Sequence, residues 1–220
     1  MNQGFFVTGT DTEVGKTVIS VGLINQLQQQ GLRVVAMKPV ASGCEMTAQG
    51  LRNEDALALQ AAADIKVAYE QVNPYAFAPA IAPHIAAQQA DTEIDLQRLA
   101  DVYQQLQQQA DATVVEGAGG WLVPLNDNQT IADLAVQIKL PVVLVVAIKL
   151  GCINHALLTA QSIRSSGLEL AGWVANDFLG DSQNEAIIDA INSRIGAPCL
   201  GVVPRLKKAD TAGAYLKLTG

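Results

Sequence analysis

Only three cysteines occur, Cys44, Cys152 and Cys199, far apart and odd in number. That pattern gives neither a disulfide framework nor a cysteine-built metal site, and buried or bystander thiols are expected. Runs of Lys and Arg are absent. The 14 basic residues stand against 21 acidic ones, for a formal net charge of −7. Nucleic acid and an anionic membrane surface are therefore not expected as partners. The longest apolar run, "LPVVLVVAI" at 140–148, is far too short to span a bilayer. The N-terminus lacks a basic segment followed by an apolar one, so no secretory signal is expected and a cytoplasmic protein is. Pro and Gly are not enriched enough for disorder, and no repeat period is visible.

What is present is apolar residue, half of a 220-residue chain, enough for one core in a single domain spanning 1–220. Short apolar runs at 4–9, 33–40, 112–117, 141–148, 170–177 and 199–204 predict strands buried on both faces. Helical patterns at about 16–30, 54–63, 93–109, 130–138, 153–166 and 182–195 lie between them. This alternation predicts an α/β fold, a parallel sheet with helices on both faces. Residues 64–92, with Pro74, Pro79 and Pro83, read as a loop-rich insertion. The glutamine clusters at 26–30 and 104–109 end helical patterns and read as solvated faces.

The stretch "FFVTGTDTEVGKTV", 5–18, places a Gly-containing loop between a predicted strand and a predicted helix. Backbone N–H groups and a positive helix end there suit an anion. Lys16 suits β- and γ-phosphates, and the Thr17 hydroxyl suits Mg²⁺, so the chain reads as a P-loop nucleotide binder. Five residues, not four, separate Gly9 from Gly15. The longer loop carries Thr12 and Glu13. A carboxylate beside phosphate would repel it but could hold an ammonium, so a second, amine-like ligand is expected. Ligands of such sheets bind at the carboxyl ends of the strands. Residues 8–17, 38–43, 116–120, 149–154, 176–177 and 204–206 all fall there.

Several motifs then resemble one family in one order: "GTDTEVGKT" (9–17), "KPVASG" (38–43), "LRNEDALAL" (51–59), "NPYAFAPAIAPH" (73–84), "VVEGAGGWLVPL" (114–125), "KLGCINHALLT" (149–159) and "GWVAND" (172–177). They are similar to dethiobiotin synthase, from about residue 5 to residue 206, with a weaker match in the tail. The resemblance implies a P-loop fold, usually a homodimer, that uses ATP, Mg²⁺, CO₂ from bicarbonate and 7,8-diaminononanoate. It implies carbamate formation on one amine, phosphorylation of the carbamate by ATP, and ring closure by the second amine.

Site residues follow from the resemblance and the residue chemistry together. Lys38 and Lys16 would stabilise the carbamate and the transferred phosphoryl. Thr12 and Glu13 would flank the diamine and the phosphates. Glu13, Val14, Gly15, Lys16, Thr17 and Val18 would hold the nucleotide. Thr17, Asp55 and Glu116 are the Mg²⁺ candidates. Asp55 alone also reads as a first-turn acid on a helix dipole, whereas Glu116 ends an apolar strand where an unpaired carboxylate is costly. Gly117, Ala118 and Gly119 allow close approach of backbone, or simply a tight turn. Asn176, with Asp177, suits adenine or a local cap. Pro204, Arg205 and Leu206 resemble a nucleotide-contacting loop, with no particular contact given to Arg205. Ser42 would hydrogen-bond substrate. The backbone at Gly151, Cys152, Ile153 and Asn154 would bind the substrate carboxylate, reaching across a dimer interface. His155 and His84 read as structural.

Three other readings compete. A partitioning-type ATPase switch usually carries an early loop lysine, where this chain has Thr10 and Asp11. An amide-forming ligase of cobalt-corrin synthesis normally adds a glutaminase domain, for which 220 residues leave no room. A degenerate regulatory relative would not be expected to keep Lys16, Thr17, Lys38, Asp55 and Glu116 together.

Overall fold

The computed structural model describes residues 3–177, 184–207 and 209–218. Its centre is a six-stranded, wholly parallel sheet. In chain order it contains β1 (Gln3–Gly9), α1 (Lys16–Gln29), β2 (Val34–Met37), β3 (Val40–Ala41), β4 (Glu45–Thr47), β5 (Gly50–Arg52) and α2 (Glu54–Ala62). There follow α3 (Tyr69–Val72), β6 (Tyr75–Ala76), α4 (Pro83–Gln89), α5 (Leu96–Gln107), β7 (Ala112–Gly120) and α6 (Ile131–Ile138). The chain continues through β8 (Val142–Ala147), α7 (Cys152–Ser165), β9 (Leu170–Asp177), α8 (Asn184–Ile195), β10 (Cys199–Pro204) and a 3₁₀ turn at Ala209–Tyr215.

The sheet order is β10-β9-β8-β1-β7-β2. The first strand is therefore central. The chain leaves it toward β2 on one side and later crosses to β8 on the other, which opens a crevice at the carboxyl edge. Side chains alternate along each strand. Phe6, Val142, Leu144 and Val146 enter a core shared with α5, α6, α7 and α8. Val7, Val143 and Val145 enter the opposite core, shared with α1, α2 and the C-terminal turn. Apolar residues on both faces are why these strands read as continuous runs rather than alternating patterns.

Several expected boundaries move for local reasons. The run at 33–40 is not one strand. Lys38 turns its N–H to the Val72 carbonyl, 2.7 Å away, and Pro39 has no N–H to give. The chain then pairs anew, β3 with β6. Residues 117–120 continue β7, with Gly120 paired to Gly9 across a register shift, instead of leaving the sheet after Gly117. The insertion at 64–92 holds α3, β6 and α4. Two glutamines of the first cluster are tethers as well as surface: Gln26 donates to the Gly213 carbonyl and Gln28 to that of Ala62. The first of these helps seat the tail on α1, where Ala212 and Leu216 are buried.

Candidate active site

The loop between β1 and α1 is shaped by two residues in left-handed backbone. Gly15 has φ 88° and caps α1, and Glu13 has φ 58°. For Glu13 that conformation is unfavourable, and such outliers gather at functional loops. No side chain caps α1, so its first amides face the loop unclaimed by a cap. Val14 is fully buried, and its carbonyl accepts a 2.9 Å bond from Asn176 Nδ2 on β9. The loop is thus tied to the next-but-one strand. Lys16 folds back to donate to the Asp11 carbonyl at 3.0 Å. Burial, and then the positive charge of Lys38, bring its pKa down to about 8.

Opposite the loop lies a second cluster. Glu116 comes from β7, beside Val7 of β1, and is fully buried. Lys38 leaves the end of β2 and places Nζ 2.6 Å from Glu116 Oε1, 3.2 Å from Asp55 Oδ2 and 3.4 Å from the Gly117 carbonyl. Thr17, the second residue of α1, donates to the same Glu116 Oε1 at 3.0 Å. Burial alone would discharge Lys38, but the two carboxylates outweigh it and hold its pKa above the usual lysine value. Burial likewise opposes ionisation of Asp55, yet Lys38 and the Thr17 hydroxyl hold its pKa below the usual range. Asp55 sits in the first turn of α2, whose cap Asn53 accepts from Ala56 N–H.

One cleft of about 750 Å³ joins loop and cluster. Of the residues proposed from sequence, Thr12, Glu13, Gly15, Lys16, Thr17, Val18, Lys38, Ser42, Asp55, Ala118 and Gly119 line it. Ser42 Oγ is buried without a hydrogen-bond partner. Glu116 and Gly117 stand behind this wall, fully or nearly buried. Gly119 needs its left-handed backbone, φ 62°, and a Cβ there would lie 2.8 Å from Val123 Cγ2. Ala80, Ile81, Ala82, Pro83 and Val123 add an apolar wall that sequence reasoning did not assign. Its signal in the sequence is "AIAP" at 80–83, which stands inside one of the family motifs.

The remaining candidates lie elsewhere on the carboxyl edge. Asp177, Pro204, Arg205, Leu206, Gly151, Cys152, Ile153 and Asn154 do not line this cleft. Gly151 caps α7 in left-handed backbone, φ 89°, with no side-chain cap. Cys152 supplies no free amide: its N–H goes to the Lys149 carbonyl at 3.0 Å, and its side chain is buried. Lys149 itself reaches Asp11 of the first loop at 3.7 Å, so turn and loop are neighbours.

Comparison with known proteins agrees with this geometry. A family model described as an AAA domain matches residues 3–212. The ATP-dependent dethiobiotin synthetase BioD of Cellvibrio japonicus is 55% identical over 220 residues, covering 99% of this chain and 96% of the relative. That of Pseudomonas aeruginosa (strain UCBPP-PA14) is 57% identical, covering 97% and 95%. The chain belongs to the ATP-dependent dethiobiotin synthetase family. Among solved structures, MinD of Pyrococcus horikoshii in complex with Mg-ADP covers 94% of this chain and 82% of its own, at 17% identity and TM-score 0.56. A ParA family ATPase of Chlorobium tepidum covers 94% and 86%, at 15% identity and TM-score 0.59. The chain therefore shares its fold with MinD and a ParA family ATPase, and the likeness extends to fold alone.

The donor set of this family member suits a magnesium ion. Glu116 Oε2 is buried with no hydrogen-bond partner, while Thr17 bonds the other oxygen of Glu116 and the carboxylate of Asp55. Among the described residues no group of three or more His, Cys, Asp or Glu side chains could cage a metal. Two carboxylates and a hydroxyl, completed by waters and phosphate, are what Mg²⁺ accepts. No helix among the described residues is long and apolar enough to cross a membrane.

Proposed function

We propose that the chain, acting as one domain, closes the ureido ring of dethiobiotin from 7,8-diaminononanoate, CO₂ and ATP. The observation that carries the reading is the shared cleft: the phosphate loop at Lys16 and Thr17 and the buried cation at Lys38 open onto one cavity. A nucleotide grip alone would not need the second half. Thr12 and Glu13 line the same cleft and would flank the amine beside the γ-phosphate.

The steps divide among these residues. One substrate amine adds to CO₂ and loses a proton, giving a carbamate. Lys38 holds the carbamate oxygens, and its charge is secured there by Glu116. The carbamate oxygen takes the γ-phosphoryl of ATP, and ADP leaves. Lys16 and Lys38 face the charge that spreads over the phosphoryl oxygens, and the positioned amides of the loop add to it. The second amine attacks the carbonyl of the mixed anhydride. Phosphate departs, a proton is lost and the ring is closed. Thr17, Asp55 and Glu116 would hold Mg²⁺, which supplies charge neutralisation at the β- and γ-phosphates. Asn176 keeps Nδ2 on Val14, so its Oδ1 is the atom offered to the adenine amino group. The apolar wall from Ala80 to Val123 would lie along the aliphatic tail of the diamine.

A homodimer completes the reading. Leu122, Leu150 and Leu158 expose 63%, 101% and 57% of their surface. The amides of Ile153 and Asn154 would take the substrate carboxylate of the partner's cleft. The deciding assay supplies purified protein with diaminononanoate, bicarbonate, Mg²⁺ and ATP. A cyclic urea, seen by mass and formed with matching diamine-dependent ADP release, supports the reading. ATP turnover indifferent to diamine, with no cyclic product, would refute it.

A further inference from the structure

Asp55 is the least anchored member of the Lys38, Glu116 and Asp55 cluster. Glu116 is set by the sheet, but Asp55 lies on α2, which follows the hairpin of β4 and β5. Its side chain is 45% exposed. Something must hold the start of that helix against the end of β2. The described contacts show a buried chain of hydrogen bonds that does so. Asn53 N–H, at the cap of α2, donates to Tyr69 Oη at 2.7 Å. Tyr69 Oη donates to Asn73 Oδ1 at 3.0 Å. Asn73 Nδ2 donates to the Lys38 carbonyl at 2.7 Å and to that of Tyr75 at 3.2 Å.

Tyr69 and Asn73 are 7% and 3% exposed, and neither lines the cleft. Arg52 stacks over the Tyr69 ring, its guanidinium carbon 4.0 Å from the centroid, and pins the ring from the hairpin side. The chain thus runs from the backbone before Asp55 to the backbone of Lys38. The ion pair between Lys38 Nζ and Asp55 Oδ2 closes it into a ring. Both capacities of the Tyr69 hydroxyl are used, and the Asn73 amide is oriented from both ends. A hydrogen-bonded ring that includes the working side chains fixes their separation more tightly than the exposed hairpin could.

We propose that Tyr69 and Asn73 are positioning residues, which set Asp55 against Lys38 and so define the divalent-cation site. The inference rests on the reading of Thr17, Asp55 and Glu116 as that site. The test is Mn²⁺ binding to the full chain saturated with ADP, followed by electron paramagnetic resonance, with steady-state kinetics beside it. Tyr69→Phe keeps the ring and its stacking but removes both hydrogen bonds. It should weaken Mn²⁺ about tenfold or more and raise the Mg²⁺ needed for half-maximal turnover. The KM for ATP should stay near that of the parent. In an Asp55→Asn background, adding Tyr69→Phe should change Mn²⁺ binding little, because the group it positions has already been altered. Asn73→Asp keeps an acceptor for Tyr69 but withdraws both donors, and should shift Mn²⁺ in the same direction. If Tyr69→Phe fails to fold, Asn73→Asp decides the matter by the same measurement. Parent-like Mn²⁺ binding in these variants beside weakened binding in Asp55→Asn, or full additivity in the double variant, would overturn the inference alone. Parent-like binding in Asp55→Asn would overturn the cation reading itself, and the inference with it.

Discussion

Lys38 and Glu116 form a buried ion pair: Nζ lies 2.6 Å from Oε1, and the two side chains are 5% and 0% exposed. Such a pair is costly to break, because removing one partner leaves the other charge buried and uncompensated. It also presents a fixed cation to the cleft, with Asp55 at its outer side.

Removing the lysine should therefore damage both stability and chemistry. Lys38→Met leaves a carboxylate buried without its partner, and should cost about 3–5 kcal/mol in urea unfolding. Adding Glu116→Gln should recover part of that loss, since no bare charge remains. In folded Lys38→Met, the diamine kcat/KM should fall by the equivalent of roughly 3–4 kcal/mol, more than ATP affinity falls. Near-normal turnover would remove Lys38 from its assigned role.

Lys16 gives a pH dependence with a definite sign. Its pKa in the folded protein is about 8, below the ordinary 10.5, first because it is buried and next because Lys38 is near. Between those two values the unfolded chain keeps a proton that the folded chain releases. The contribution of Lys16 to folding stability therefore rises as pH climbs through that window. ATP acts oppositely, since its phosphates favour the charged lysine. Binding just above the lowered pKa should take up a proton, and apparent affinity should fall as pH rises further. Calorimetry in two buffers of different ionisation enthalpy reads the proton directly. Lys16→Met should bind more weakly and without this proton uptake; equal uptake in parent and variant would assign it to another group.

Gly15 and Asn176 make a second coupled pair. A Cβ on Gly15 would come within 2.1 Å of Asn176 Nδ2, and φ 88° disfavours any side chain. Gly15→Ala should destabilise the protein through both effects, the backbone alone accounting for about 1–2 kcal/mol. Asn176→Ala loses one bond to Val14, worth about 1 kcal/mol. The double variant should be more stable than the sum of the two changes predicts, because the clash is gone while the strained backbone stays. Strict additivity in chemical denaturation would show that the loop moves aside instead.

Sequence alone carries the sheet and the loop far, because each is written locally. Apolar runs bounded by Gly and Pro mark β1 and β8, and "GKT" after a strand marks the start of α1. Long-range partners are written nowhere. That Glu116 would meet Lys38 depends on β7 lying between β1 and β2, which the strand order settles. Tyr69 and Asn73 were hidden for a different reason. They sit in a proline-bearing segment without periodicity, and their role depends on the cap of a helix elsewhere in the chain. Asn53, directly before "EDALAL", was the one readable sign, since Asn is a preferred helix cap. The break at Lys38 and Pro39 was also legible, but the apolar run on both sides concealed it.

The turn before α7 supplies the last prediction. If the amides of its first helical residues bind a carboxylate, deleting side chains is a weak test and proline is a stronger one, because it removes an N–H. Cys152 is the wrong place: its amide already serves Lys149, and its buried side chain belongs to the core. Asn154 is exposed and lies in the first turn of α7, where proline is tolerated best. Asn154→Pro should raise the KM for the diamine and leave ATP binding largely intact. A diamine with its carboxylate esterified should lose affinity for the parent protein in the same way. If the turn serves a partner's cleft, mixing Asn154→Pro with Lys16→Ala should restore some activity. One site of the mixed dimer then combines an intact phosphate loop with an intact turn, while the other carries both defects. Absence of recovery, with subunit exchange demonstrated by mass, would show that each chain works with its own turn alone.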